Sequence, residues 1–367
     1  MKIAVDAREL RTSSGRYVER LLEYLQDIDT ENDYVIILTQ KDFDGWAPKN
    51  PKFTKVVTVY KEFTFGEQIG FCRQITNIGA DIVHFPMVQQ PIMYRGTVVT
   101  TLQDLTTCRF RNPTKNPIVF TTKQQIYKWL NKRVAKKSKL LITPTEFVKQ
   151  DIVDFTGVSA DKITVTLESA DPITEPATPL PLATLQTSNF IMYVGRPTPH
   201  KNLWRLIEAF SVLRNTHPSL QLVLAGKKDK MYEMVEAQAR EKDLLKGVIF
   251  AGFVKEGELR WLYENCAAYI FPSLSEGFGL PGLEAMLHGA PVVSSNSTCL
   301  PEVHGDAAHY FDPLDVNDIA GKIADVLDDT QLRETLITKG RQQVAKFSWK
   351  RMAAQTLGVY EQALLKK

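Results

Sequence analysis

Apolar positions fall into two patterns along the chain. Short runs of Val, Ile and Leu without polar alternation occur at 2–5 (KIAV), 34–38 (YVIIL), 56–59 (VVTV), 81–85 (DIVHF), 97–101 (TVVTT), 139–143 (KLLIT) and 162–166 (KITVT). They recur at 190–194 (FIMYV), 220–225 (LQLVLA), 247–254 (GVIFAGFV), 267–271 (AAYIF) and 291–294 (PVVS). Runs of this kind are strands buried on both faces. Between them lie longer segments with an apolar residue every third or fourth position. In HKNLWRLIEAFSVLRNTHP, Leu206, Phe210 and Leu213 share one helical face, Asn202 stands at the start as a cap, and Pro218 closes the segment. The last segment has the same period, with Ser348 as N-cap and Trp349, Met352, Leu357 and Tyr360 on the buried side. Strands alternating with helices predict an α/β fold with parallel, doubly wound sheets.

Length divides this pattern in two. The 367 residues suit two domains of similar size. The stretch DPITEPATPLPLATLQTSN (171–189) holds four prolines and neither period, so it reads as an extended linker. The predicted domains are 1–170 and 190–346, with the closing segment 347–367 packing back on the first.

Composition removes some function classes. A formal charge of +3 names no partner by itself. Cys72, Cys108, Cys266 and Cys299 are widely spaced with no C-x-x-C pair, which suggests neither a zinc site nor a disulfide framework. The opening MKIAVDAREL is a strand interrupted by Asp6 rather than a signal peptide, and no apolar run approaches the roughly 20 residues of a membrane span. These features predict a soluble, cytoplasmic protein, or one lying on the inner face of the cell membrane.

Candidate chemistry begins at SEGFGLPGLE (275–284), where two carboxylates flank seven uncharged residues, three of them glycine. Pro281 suits the first turn of a helix, predicted over 281–288 with Glu284 in that turn. Gly277 and Gly279 let the main chain approach a ligand, and the free N–H groups at Leu280 to Leu283 form an anion site. A sugar nucleotide needs this set: amides for phosphate, Glu276 for sugar hydroxyls and Glu284 for ribose. The plain alternative is a glycine-rich turn with Glu284 favouring the helix dipole. Upstream, NFIMYVGRPTPHKNLW runs from strand to helix through Gly195, so Arg196 and Lys201 leave the carboxyl end of a strand. That is the edge where open parallel sheets bind ligands. Two fixed cations there can neutralise a departing diphosphate. The letters DFD (Asp42 to Asp44) read as a solvated turn, so fixed cations rather than a metal are expected to take this role.

At these residues the chain resembles the retaining GT-B glycosyltransferases of family 4, the glycosyl transferases group 1, and most of all their mannosyltransferase-like members. The E-x7-E motif matches at Glu276 and Glu284, and G-R-x4-K-N matches at Gly195, Arg196, Lys201 and Asn202. HGAPVVSSNSTCLPEVHGDAAHYFDPLDVNDIA, the opening DARELRTSSGRYVERLL and FSWKRMA near the end are also similar to family segments. The resemblance implies two Rossmann-like domains facing each other across a cleft. It implies that Arg196 and Lys201 bind the donor diphosphate, that Glu284 holds the ribose, and that Glu276 holds the donor sugar with main-chain groups at Phe278, Gly279 and Leu280. The main chain near Val254 meets the base, and Gly15 brings the first domain's loop to the reacting centre. The implied reaction is metal-independent and keeps the anomeric configuration. The implied donor is a nucleotide sugar, GDP-mannose or a UDP-sugar, with no cofactor. The acceptor is a sugar or lipid-linked glycan in cell-surface glycan synthesis.

Two positions depart from the family. Gln103-Asp104 stands where many members have His-Asp, and glutamine hydrogen-bonds but does not titrate. Ser14-Gly15 replaces a double glycine. Both lie on the acceptor side.

Between Leu105 and Thr145 there are ten Lys or Arg and no Asp or Glu. In KQQIYKWLNKRVAKKSK, Ile126, Trp129, Leu130 and Val134 lie near one helical face, read either as a core stripe or, with the lysines around it, as contact with an anionic membrane. No nucleic-acid motif accompanies the charge. Of the isolated histidines, His84 ends a strand at the ligand edge, where it either meets a substrate or packs. His200 lies in the phosphate loop, and His288 falls late in a helix. None has metal-ligand spacing. Competing readings are a nucleotide-sugar-binding protein without transfer activity and a GT-B epimerase. No G-x-G-x-x-G follows the first strand, which disfavours a dinucleotide-dependent dehydrogenase.

Overall fold

The computed structural model describes residues 1–11, 15–181, 185 and 189–365, so Ser14, part of the proposed linker and the last two residues lie outside it. The chain forms two compact units. The first comprises Met1–Leu105, Gln124–Glu168 and Ser348–Lys367; the second comprises Thr106–Lys123 and Ser169–Phe347.

In the first unit, strands β1 (Lys2–Asp6), β2 (Asp33–Thr39), β3 (Phe53–Thr58), β4 (Ile82–Phe85), β5 (Val98–Thr101), β6 (Leu140–Thr143) and β7 (Ile163–Val165) form one parallel sheet. Their order is β3-β2-β1-β4-β5-β6-β7. Apolar side chains from neighbouring strands, Ala4, Val35, Ile37, Val83 and Val98, pack with Phe71 and Ile75. The closing helix Trp349–Leu365 lies on the helix Gly15–Ile28. Ser348 Oγ accepts the Arg351 N–H at 3.3 Å, as a cap does. Trp349, Met352 and Tyr360 are buried as the period predicts, but Leu357 is only partly so, and Val359 and Ala363 take the deeper positions.

The second sheet runs β10-β9-β8-β11-β12-β13 and is also parallel. Its strands are β8 (Phe190–Val194), β9 (Gln221–Ala225), β10 (Val248–Gly252), β11 (Ala268–Phe271), β12 (Val292–Ser295) and β13 (Ala308–Phe311). Strand β13 was not expected: AHYF is short and carries a histidine, so no run of Val, Ile or Leu marks it. On the helix Leu203–Leu213, Leu206, Phe210 and Leu213 are buried against this sheet, each stabilising by about 2 kcal/mol.

Four local expectations are corrected. Asn202 precedes that helix in the left-handed region (φ 57°) and makes no side-chain cap; its amide donates instead to the Pro272 and Pro313 carbonyls. The DFD letters lie in the helix Gln40–Gly45, where Asp42 is buried and hydrogen-bonded to Thr39. The start of the linker is not a free tether. Ile173 N–H donates to His288 Nε2, Arg260 donates to the Ile173 and Glu175 carbonyls, and Thr178 N–H donates to Gly257, all within the second unit. In the helix Pro117–Lys137, Leu130 and Val134 are buried while Ile126 and Trp129 are more than half exposed.

Candidate active site

Each sheet has one place where the order of strand addition reverses: between β1 and β4 in the first unit, and between β8 and β11 in the second. At such a switch the loops leaving the carboxyl ends of the two strands diverge and leave a crevice for a ligand. In the second unit these are 195–202 after β8 and 272–279 after β11, the two segments carrying the sequence-predicted donor residues.

The two loops are bonded to each other. Leu274 N–H donates to the His200 carbonyl at 2.7 Å, and the Asn202 amide holds Pro272. Lys201 Nζ meets Glu276 Oε1 at 2.5 Å, both side chains being largely buried. The Glu276 segment is fixed from behind. Its N–H donates to Thr298 Oγ1 at 3.2 Å, while Cys299 Sγ donates to the Glu276 and Phe278 carbonyls.

The helix that follows spans Leu280–Leu287, one residue earlier than predicted, with Pro281 in its first turn. Glu284 therefore lies in the second turn rather than the first. It is buried, and Tyr263 Oη lies 3.4 Å from its carboxylate. Gly279 precedes the helix at φ 101°, a conformation L side chains rarely take. A Cβ on Gly282 would fall 2.2 Å from His304 Nε2, so glycine is required there. Phe278, Gly279 and Leu280 thus stand at the amino end of this helix, an end at which main-chain amides can hold an anion.

Arg196 stands differently. Its Nη2 pairs with Asp229 at 2.8 Å, and its side chain is 57% exposed. Asp229 also caps the helix Lys230–Glu241 through the Met231 and Tyr232 amides. Thus Lys201 joins Glu276, whereas Arg196 is held on a neighbouring carboxylate. Val254 lies two residues past β10, at the same edge of the sheet.

The histidines divide. His200 is pushed down to about 4 by burial, with the Lys201 charge adding to it, and its ring meets Thr198 and Phe110. His304, which the sequence reading passed over, is fully buried against Phe271 and the glycine turn, and burial pushes it down to about 4. Its flanks (PEVHGD) carry no sign of the contact, which is made by tertiary packing. His84 packs rather than facing a substrate. It is buried between Tyr360 Oη (2.7 Å) and Thr101 Oγ1 (2.9 Å). His288 ends the Leu280–Leu287 helix, stacked on Tyr263.

In the first unit, Gly15 begins its helix where an added Cβ would lie 2.1 Å from the Leu10 carbonyl oxygen, so only glycine allows that approach. Gln103 and Asp104 follow β5. Arg8, after β1, is buried between Asp6 (2.7 Å) and Glu67 (2.9 Å). A residue missed by the sequence reading is Glu168, three positions past β7 and buried, whose carboxyl is pushed up to about 7 by burial. Among the described residues no group of three or more His, Cys, Asp or Glu could hold a metal ion, and no helix is long and apolar enough to cross a membrane.

Residues 181–343 match the family described as Glycosyl transferases group 1. The chain is 35% identical over 235 residues to O-antigen chain mannosyltransferase B of Escherichia coli, an alignment covering 61% of each chain. It is 32% identical over 225 residues to the serotype-specific mannosyltransferase WbdA of Escherichia coli, covering 58% of this chain and 28% of that one. The chain therefore spans less than two thirds of the length of these relatives. Among solved structures, sucrose-phosphate synthase from Thermosynechococcus elongatus superposes over the whole of both chains with a TM-score of 0.78 at 18% identity. Anabaena HepE in complex with UDP-glucose superposes with a TM-score of 0.75 at 16% identity, over 99% of this chain and 100% of that one. The fold is GT-B: two Rossmann-like units, each with a parallel sheet.

Proposed function

We propose that this chain, whose residues 181–343 match the Glycosyl transferases group 1 family and whose relatives include mannosyltransferases, transfers a hexose, mannose by preference, from a nucleotide sugar to a glycan acceptor, with retention of configuration and without a metal. The observation that carries this reading is the Lys201–Glu276 pair at the start of the Leu280–Leu287 helix, on the switch between β8 and β11. There a diphosphate meets a fixed cation and helix amides together. As the sugar–oxygen bond breaks, negative charge gathers on the departing phosphate, and donors already in place stabilise it without reorganising. Glu276 orients Lys201 and offers its second carboxylate oxygen to donor hydroxyls. Arg196 adds a second cation once the diphosphate competes with Asp229 for it. Glu284 holds the ribose, and the main chain near Val254 meets the base.

The test is incubation with a panel of GDP- and UDP-sugars in EDTA. Release of nucleoside diphosphate from GDP-mannose, slow without acceptor and faster with a mannoside, supports transfer. A changed sugar without nucleotide release means an epimerase, and binding alone means a carrier.

The acceptor side of the proposal is a lipid-linked or membrane-proximal glycan, reached from the inner face of an anionic membrane. Support comes from Ile126 and Trp129, exposed on a lysine-rich helix, and from Phe65 and Ile69, also exposed. Phe63 belongs with them, its ring 6.3 Å from that of Tyr127 on the same helix. Apolar side chains ringed by lysines suit an anionic headgroup layer. Co-sedimentation with phosphatidylglycerol but not phosphatidylcholine vesicles, lost on Trp129→Ala, is expected; equal binding to both counts against it.

A further inference from the structure

Thr298 sits in a backbone conformation that its own side chain opposes. It is the first central residue of a tight turn in which the Leu300 N–H donates to the Ser297 carbonyl at 3.3 Å. Its φ is 56°, and Cys299 follows at φ −79° and ψ −8°, the signs of a type II′ turn. Glycine is the residue such a turn favours at that place. A β-branched side chain at positive φ crowds its own backbone, and a fold keeps it only where the surroundings over-determine it. Of the four described non-glycine residues with positive φ, Thr298 alone is β-branched.

What surrounds it is the loop that carries Glu276. Thr298 Oγ1 accepts the Glu276 N–H at 3.2 Å. Cys299 is fully buried, and its Sγ donates to the Glu276 carbonyl at 3.3 Å and to the Phe278 carbonyl at 3.4 Å. Two consecutive residues of the turn thus take both main-chain groups of Glu276. In a trans peptide the N–H points opposite to the carbonyl, so holding these two carbonyls turns the Gly277 and Gly279 N–H groups away from the thiol. Amides aimed to one side in this way are how a loop presents donors to an anion. On its side-chain end, Glu276 meets Lys201 Nζ at 2.5 Å. Residues 272–279 lie between β11 and the helix Leu280–Leu287 with no helix or strand of their own, so bonds such as these give the loop its shape. Glycine at 298 would make the turn without steric conflict; what threonine adds is the hydroxyl on Glu276.

We propose that Thr298 is a positioning residue of the donor site: its hydroxyl fixes the Glu276 main chain, and with it the carboxylate that holds Lys201 and the amides that follow. The effect on turnover rests on the transferase reading; the holding of the loop does not. Thr298 moves no proton and acts through Glu276. Without the hydroxyl, the Glu276 N–H turns to water and the loop leaves the arrangement in which Lys201 and the amides stand ready. Donors held in place stabilise the charge that develops on the departing phosphate, so their loss appears in kcat more than in donor KM.

Three substitutions separate the hydroxyl from the backbone. Thr298→Val keeps the shape and the strain but not the hydroxyl, Thr298→Ser keeps the hydroxyl, and Thr298→Gly removes hydroxyl and strain together. In the first arm, kcat and donor KM are measured with GDP-mannose in EDTA. The valine and glycine variants lose about tenfold or more in kcat with donor KM within about threefold of the parent, and the serine variant keeps near-parent turnover. Thr298→Gly melts higher than Thr298→Val yet is no more active, whereas activity would follow stability if the threonine served the fold alone. Parent-like kcat in the valine or the glycine variant overturns the proposal. The second arm needs no donor and follows hydrogen exchange at the Glu276 amide by NMR. Thr298→Val speeds it about tenfold or more while the amides of β11 keep the parent's rates. An unchanged rate at Glu276 overturns the proposal. If the parent releases no nucleoside diphosphate from any nucleotide sugar, the transferase reading fails and the exchange arm decides the positioning by itself.

Discussion

Replacing Glu168 by glutamine should alter the pH dependence of stability by an amount the fold itself sets. Burial raises this carboxyl from 4.5 to about 7. A raised folded-state value means that stability is fully present below the unfolded value and is lost as pH rises through the folded one. The shift corresponds to about 3 kcal/mol across the whole titration, most of which falls between about pH 5 and about pH 8.5. Glutamine keeps the shape and removes the charge. The variant should therefore match the parent near pH 5 and gain on it by about 2 to 3 kcal/mol towards about pH 8.5. Because a two-unit chain need not unfold in one step, the assay is hydrogen exchange at β5 and β6 amides such as Val99 and Ile142, which reports the first unit alone. A difference that stays constant with pH, or a variant that becomes the less stable at high pH, would show that Glu168 is compensated by a charge and that the reasoning is wrong.

Other substitutions address the donor side. Lys201→Ala should cut turnover about 10²- to 10³-fold, the usual cost of removing one preorganised donor from developing charge; steady-state kinetics with GDP-mannose check it. Asp229→Asn keeps a capping side chain for the Met231 and Tyr232 amides but frees Arg196. It should tighten donor binding several-fold with little change in melting temperature, and weaker binding would mean that Arg196 needs its carboxylate for orientation. Gly282→Ala forces a methyl group onto His304 and should destabilise by about 1–3 kcal/mol. Adding His304→Ala should recover part of that loss in a double-mutant cycle on urea midpoints, and strict additivity would deny the contact.

Much of this site was legible because its parts are local in sequence. Gly195 to Asn202 and Ser275 to Glu284 each run from strand end through loop to helix, so the residue types at fixed spacing state both backbone and chemistry. The strands were legible because parallel sheets bury both faces, which leaves unbroken runs such as FIMYV; β13 escaped for want of such a run. What sequence could not give is which side of a periodic stripe faces inward. Ile126 and Trp129 share a period with Leu130 and Val134, yet one pair is exposed and the other buried. Nor does a sequence show partners supplied from elsewhere in the fold. Asp229 holding Arg196, His304 wedged at Gly282, and Glu168 beside Gln103 join segments 20 to 65 residues apart, and no local pattern announces them. Asn202 shows the same limit in miniature: its place before a helix is what a cap requires, but two distant carbonyls claim its amide.

Calorimetric titration of GDP into the protein in EDTA, with the parent and with Lys201→Ala, asks whether a side-chain cation and helix amides suffice to hold a diphosphate. Binding by the parent without divalent ions, weakened at least about tenfold by the substitution, is the expected result. Equal affinity in the two proteins, or binding by the parent only after magnesium is added, would contradict it.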